Sequence, residues 1–174
     1  MGMDVFGLNP KNEKGEYFRN NVWWWRPLWM FCCEVGEEVI NQELVEAGHF
    51  NDGAGLDDDG SKTLARILME KLESGVVAEA EEEFKRISES APRVKCDWCN
   101  NTGIRTDEVG ISMGMHDKAL SAEQAARLGR DFGWCNGCDG EGTQRHPMSS
   151  YGFSVENVRE FAEFLDSCGG FEIL

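Results

Sequence analysis

Four of the seven cysteines fall in two short pairs, Cys96-Asp97-Trp98-Cys99 and Cys135-Asn136-Gly137-Cys138. A CxxC pair is a knuckle that can present two thiolates to one ion. Two knuckles complete a tetrahedral four-cysteine set with no position left for water or substrate. That is the chemistry of a structural zinc site, and it predicts one zinc ion per chain on Cys96, Cys99, Cys135 and Cys138. Zinc is preferred to iron because knuckles with flanking glycines are most often zinc sites. Thirty-five residues separate the knuckles, more than the usual ribbon spacing, so the ion would clip together the base of a long excursion. Redox dithiols are the weaker alternative. One dithiol suffices for exchange, and no thioredoxin-like βαβ pattern surrounds either pair.

The glycines after each pair sharpen the reading. The second knuckle continues as Cys135-x-x-Cys138-x-Gly140-x-Gly142 and the first as Cys96-x-x-Cys99-x-Asn101-x-Gly103. Asn101 stands where the second knuckle has glycine, and Asn tolerates positive φ better than most residues. The pattern resembles the CxxCxGxG repeat of the cysteine-rich zinc region in DnaJ-type co-chaperones. The resemblance implies that Cys96, Cys99, Cys135 and Cys138 share one zinc ion. It covers these two stretches alone. His146-Pro147-Met148 is not the His-Pro-Asp of a J-domain, and no Gly/Phe-rich linker is present, so chaperone recruitment does not carry over.

The second concentration of chemistry is aromatic. Trp23, Trp24, Trp25 and Trp29 lie within seven residues, with Arg26 and Pro27 between them. Pro27 disfavours helix at Arg26, so the reading is an extended entry followed by a helix from about Pro27 to Ala47, with Gly36 splitting it. In an extended segment Trp23 and Trp25 face one side and Trp24 the other. Three consecutive tryptophans cannot all enter one core face. Trp23, Trp24, Trp25, Arg26 and Trp29 are therefore candidate partner-binding residues, aromatic and Arg chemistry being typical of interface hot spots. The competing reading is a core anchor. The stretch from Gly15 to Trp29 resembles the opening of uncharacterised bacterial and phage-encoded proteins.

Other groups select no further site. Cys32, Cys33 and Cys168 read as small buried hydrophobes. Asn51, Asp52, Asp57, Asp58 and Asp59 lack EF-hand spacing and read as a turn and helix cap. His49, His116 and His146 stand singly, though His116 or His146 could replace a cysteine at the metal. There is no Walker A, GxGxxG, GxSxG or HExxH motif, and no catalytic pair stands out.

The elements that must position these residues follow from pattern and punctuation. The first 20 residues read as irregular or extended. Residues 49–60 are a polar, Gly-rich loop, and Asp58, Asp59 or Ser61 would cap the next helix. Leu64, Ile67, Leu68 and Leu72 repeat with helical period, and a similar pattern continues past Gly75 to Ile87. Short strands are expected at Arg93–Lys95 and Gly103–Thr106. Ser121 with Gln124 forms a capping box, and Ser154 caps a last helix. Gly169-Gly170 end that helix, and residues 171–174 follow as a terminal strand. The resulting fold class is α+β, a mainly helical body with a small zinc-clipped β-rich insertion. Its parts are residues 1–92, a Trp-rich arm and helical body; 93–147, the four-cysteine zinc-binding insertion; and 148–174, a C-terminal helix packing back on the body.

The chain of 174 residues carries a net charge of −15. Residues 1–92 hold 9 basic and 19 acidic side chains, 93–147 hold 7 and 8, and 148–174 hold 1 and 5. That distribution repels phosphates and anionic lipid and argues against direct nucleic-acid binding and membrane association. The chain shows no secretory signal and no membrane span, so the expected compartment is the cytoplasm. The functional expectation is a zinc-stabilised module that binds a protein partner through the Trp-rich arm or the zinc platform. The alternatives are an acidic DNA mimic that inhibits a nucleic-acid-binding protein, and an enzyme with a pocket between the helices and the Trp cluster.

Overall fold

The structure is a computed structural model that describes residues 2–174. The chain divides into a body, Met1–Glu89 with Ser150–Leu174, and an insertion, Ser90–Ser149. It is α+β, about 48% helix and 13% strand. No helix among the described residues is long and apolar enough to cross a membrane.

The body starts as a hairpin. Strand β1 (Gly2–Gly7) pairs antiparallel with β2 (Tyr17–Asn21), Val5 opposite Phe18. The short alternation of Met3 and Val5 is too weak a signal to separate strand from irregular chain in the sequence. It is decided by tertiary pairing. Strand β3 (Ala54–Leu56) and the terminal strand β6 (Phe171–Ile173) complete a sheet of order β2-β1-β6-β3. The C-terminus therefore lies inside the sheet, between the first strand and a strand in the loop after residue 50.

Helix α1 (Val22–Val35) corrects the extended reading of the tryptophans. It begins five residues before Pro27, because the Asn21 side chain accepts hydrogen bonds from the N–H groups of Trp23 and Trp24 at 3.0 and 3.3 Å. Proline inside a helix removes a donor and costs about 3 kcal/mol. Here the orphaned acceptor is the Trp23 carbonyl, and the N–H of Gly152 donates to it at 3.1 Å. A partner more than a hundred residues away in the chain thus satisfies the group that Pro27 leaves open. The helix ends at Gly36, and α2 (Gln42–Ala47) follows with Asn41 as its cap.

Helix α3 (Asp58–Glu73) is capped by Asp57, one residue before the expected positions. It buries Leu64, Ile67 and Leu68, as their period predicts. Helix α4 (Val76–Ser90) buries Val77. The last helix of the chain, α7 (Val155–Ser167), is capped by Ser154 and packs on α3. The core beneath the sheet joins Met3, Val5, Phe18, Trp25, Trp29, Phe161, Phe164, Phe171 and Ile173.

The insertion holds little regular structure. Strands β4 (Val94–Lys95) and β5 (Thr143–Gln144) form a two-residue ladder at its base. Between them lie α5 (Glu108–Ser112), capped by Asp107, and α6 (Ala122–Leu128), which starts on the complete Ser121–Gln124 capping box and ends on left-handed Gly129. Gly103–Thr106 is not a strand. Arg105 instead lies between the second knuckle and the Asp107 cap, its guanidinium bonded to Asp107 and Asn136.

Candidate metal centre

Each knuckle is a tight turn closed by its own backbone. The N–H of Asn101 donates to the carbonyl of Cys96 at 3.2 Å, and the N–H of Gly140 donates to that of Cys135 at 3.1 Å. One step on, Thr102 donates to Cys99 at 3.0 Å and Glu141 to Cys138 at 2.9 Å. Equivalent bonds therefore recur at a constant offset of 39 residues, the separation of Cys96 from Cys135 and of Cys99 from Cys138. The turns need left-handed backbone. Asn101 has φ of 69° and Gly140 77°, so the departure from glycine in the first knuckle is accommodated by a residue type that tolerates this region.

The later glycines are stricter. Gly103 and Gly142 have φ of 75° and 79°. A Cβ on Gly103 would stand 2.2 Å from the Gly140 carbonyl oxygen, and one on Gly142 would stand 2.4 Å from that of Asn101. Each knuckle thus packs its glycine against the backbone of the other. These two glycines also point their N–H groups at sulfur, Gly103 to Cys99 Sγ at 3.3 Å and Gly142 to Cys138 Sγ at 3.2 Å. We expect Gly103→Ala and Gly142→Ala each to weaken metal affinity by about tenfold or more, since both strain and clash act on the ligand turns. Asn101→Gly should leave it within about twofold. Competition titration with a chromophoric chelator measures both.

The four Sγ atoms lie within 4.8 Å of one another and are buried. Cys96 and Cys135 are 3.8 Å apart, and Cys99 and Cys138 3.7 Å. A tetrahedron with zinc–sulfur bonds of about 2.3 Å has edges of about 3.8 Å. The residues therefore fit a thiophilic ion such as zinc. Burial pushes the Cys138 thiol up to about 12 and raises Cys135. At Cys99 burial also opposes ionisation, but the Gly103 N–H and the neighbouring thiols outweigh it and hold the thiol below its ordinary value. A dicationic centre is what would allow all four to be thiolates together.

Arginine residues brace the frame, and spacing gave no sign of them. Arg130 Nη2 donates to the carbonyls of Gly103 at 2.9 Å and Gly140 at 2.7 Å, tying one knuckle to the other. Arg105 lies over the Trp98 ring, 4.6 Å from its centroid. Glu141 accepts from Arg93 at 2.6 Å and from Arg127. In the sequence these are ordinary members of a nearly charge-neutral segment, and only the fold reveals which backbone each one faces.

The burial pattern gives the centre its structural meaning. Within the insertion the buried residues are Cys96, Cys99, Gly103, Gly110, Gly133, Cys135, Cys138, Gly140 and Gly142. None is a larger apolar residue, and the insertion's buried hydrophobic cluster consists of the four cysteines. Sixty residues with so small a core do not offset their own ordering entropy by hydrophobic burial.

The tryptophan segment divides differently from its sequence reading. Trp25 and Trp29 are fully buried, one helical turn apart, their rings stacked with centroids 5.6 Å apart. Their indole N–H groups donate to the carbonyls of Gly48 at 2.7 Å and Val45 at 3.1 Å. They are core residues and do not present a partner surface. Trp23, Trp24 and Arg26 remain exposed. Trp23 meets Tyr151 edge-on at 5.0 Å, and the Arg26 guanidinium donates to the Tyr151 hydroxyl at 3.1 Å.

Among the described residues the cysteine tetrad is the one cluster of potential metal ligands, so neither His116 nor His146 joins it. Asp57 caps α3 and Asp58 pairs with Lys62 at 2.5 Å, consistent with a turn and cap. Cys32 and Cys168 are buried and Cys33 partly so, and burial raises all three thiols, Cys33 to about 11. No protein-family model, curated protein or solved structure matches the chain. That result lends no support to the likeness to co-chaperone repeats or to that of residues 15–29 to phage-encoded proteins; what the paired knuckles form is a four-cysteine cluster able to hold one metal ion.

Proposed function

We propose that the protein is a zinc-stabilised binding module, one zinc per chain, whose insertion engages a protein partner. When bound, the ion supplies the cross-link that replaces a hydrophobic core. One observation carries the reading. With its interior made of cysteine and glycine, the insertion leaves Trp98, Val109, Ile111, Met113 and Phe132 each more than half exposed. Exposed large apolar side chains, Trp and Phe among them, are the residue types that interaction surfaces use. The closed set of four cysteines argues for a scaffold role of the metal, since it leaves no open coordination position. The exposed Trp23 and Trp24 on α1 are a second contact area of the same kind.

The test is quantitative capture from the native host. Full-length protein, Trp98→Ser/Phe132→Ser and Trp23→Ala/Trp24→Ala are compared, each first shown to keep its zinc and its melting behaviour. The reading expects a saturable partner held by the wild type and lost at least about tenfold from one double variant. Identical capture by all three proteins would contradict it.

A further inference from the structure

The open face of the body's sheet carries a second constellation. Met3, Val5, Phe18, Phe171 and Ile173 point into the core, so the alternate residues Asp4, Phe6, Tyr17, Arg19 and Glu172 share the other face. The register aligns one row across four strands. Tyr17 is opposite Phe6, Phe6 is opposite Glu172, and Glu172 is opposite Gly55. The rings of Phe6 and Tyr17 are 4.9 Å apart, and both side chains are exposed. Directly opposed residues on one face have Cβ atoms about 5 Å apart, which puts the Glu172 and Phe6 side chains within reach of one another.

The two acidic residues on this face differ. Asp4 is engaged: it accepts from the Tyr17 hydroxyl and lies 3.4 Å from Arg19 Nε. Glu172 has no ion pair and no side-chain hydrogen bond among the described residues. On its other side Glu172 is opposite Gly55, where a Cβ would stand 1.7 Å from the Phe171 carbonyl oxygen, so the residue paired with it there brings no side chain; Glu172 itself is half-buried. The body holds 24 acidic against 10 basic residues, which steers cations toward it.

We propose that the row Tyr17–Phe6–Glu172 is a docking site for an arginine of a basic protein segment. A planar guanidinium can lie on the Phe6 ring and direct two parallel N–H groups at the Glu172 carboxylate. An ammonium is a point charge and cannot do both. The site belongs to the body and is independent of the metal-supported surface proposed above.

The experiment uses the full zinc-loaded chain and a fluorescein-labelled Gly-Arg-Gly-Arg-Gly peptide in about 150 mM salt, where diffuse charge attraction is screened beyond about 8 Å. Anisotropy gives the affinity. The proposal expects Glu172→Gln and Phe6→Leu each to weaken binding about fivefold or more. Glu82→Gln, on the exposed side of α4, should change it less than about twofold. The Lys counterpart of the peptide should bind at least about threefold more weakly than the Arg peptide. No binding to the wild type, equal losses in Glu172→Gln and Glu82→Gln, or equal affinity for the two peptides would each overturn it. Phe6→Leu keeps the sheet face apolar, so its effect separates loss of the ring from loss of folding.

Discussion

Chelating the metal proposed for the four-cysteine site is expected to unfold residues 90–149 and to leave the body folded. This is the largest effect expected of the protein. The insertion buries cysteine and glycine only, and its ladder is two residues long. The body has its own aromatic core and a four-stranded sheet. Metal binding to structural zinc sites is worth an apparent 10–16 kcal/mol at neutral pH, more than a small insertion needs to fold. Hydrogen exchange read by mass spectrometry should show amides of the insertion losing protection on chelation, with those of α3, α7 and the sheet unchanged. Cys96→Ser and Cys138→Ser should behave like the chelated protein. Each breaks the closed set and removes a sulfur packed against its counterpart at 3.8 or 3.7 Å. Protection that survives chelation in residues 90–149 would mean that the arginine braces and caps suffice alone.

The second large effect separates neighbours in the tryptophan run. Trp25→Ala should destabilise the body by about 3–5 kcal/mol, the usual cost of emptying an aromatic site in a core. The indole stacks on Trp29, meets Phe161 edge-on at 5.5 Å and donates to the Gly48 carbonyl. The substitution therefore opens a cavity and also orphans a buried acceptor. Trp23→Ala, two residues earlier and 45% exposed, should cost about 1 kcal/mol or less. Denaturant melts followed by far-ultraviolet circular dichroism measure both. Equal costs for the two would contradict the division of the run into core and surface.

What the sequence reveals follows the range of the forces involved. The knuckles are legible because a metal demands ligands at fixed local spacing. The capping box at Ser121 and the apolar periods of α3 and α7 are legible because a helix writes its own pattern every three to four residues. Helix α1 is not. A proline at its sixth position reads locally as a boundary, and only the Gly152 N–H, arriving from the other end of the chain, makes the helix complete. The same holds for the division of the tryptophans, which depends on a helical geometry the local signals disfavour. The position of the terminal strand between β1 and β3 is likewise a matter of long-range pairing. Within the insertion, Arg105 and Arg130 act through backbone carbonyls, side-chain acceptors and ring faces, and no spacing rule links an arginine to such targets.

The central claim is that one zinc ion is the core of the insertion. It is tested most directly by native mass spectrometry of protein purified without added metal, with elemental analysis of the same sample. The account predicts a single species carrying one zinc per chain, lost together with the insertion's hydrogen-exchange protection on chelation. A metal-free chain with a protected insertion, or iron with visible absorbance in place of zinc, would contradict it.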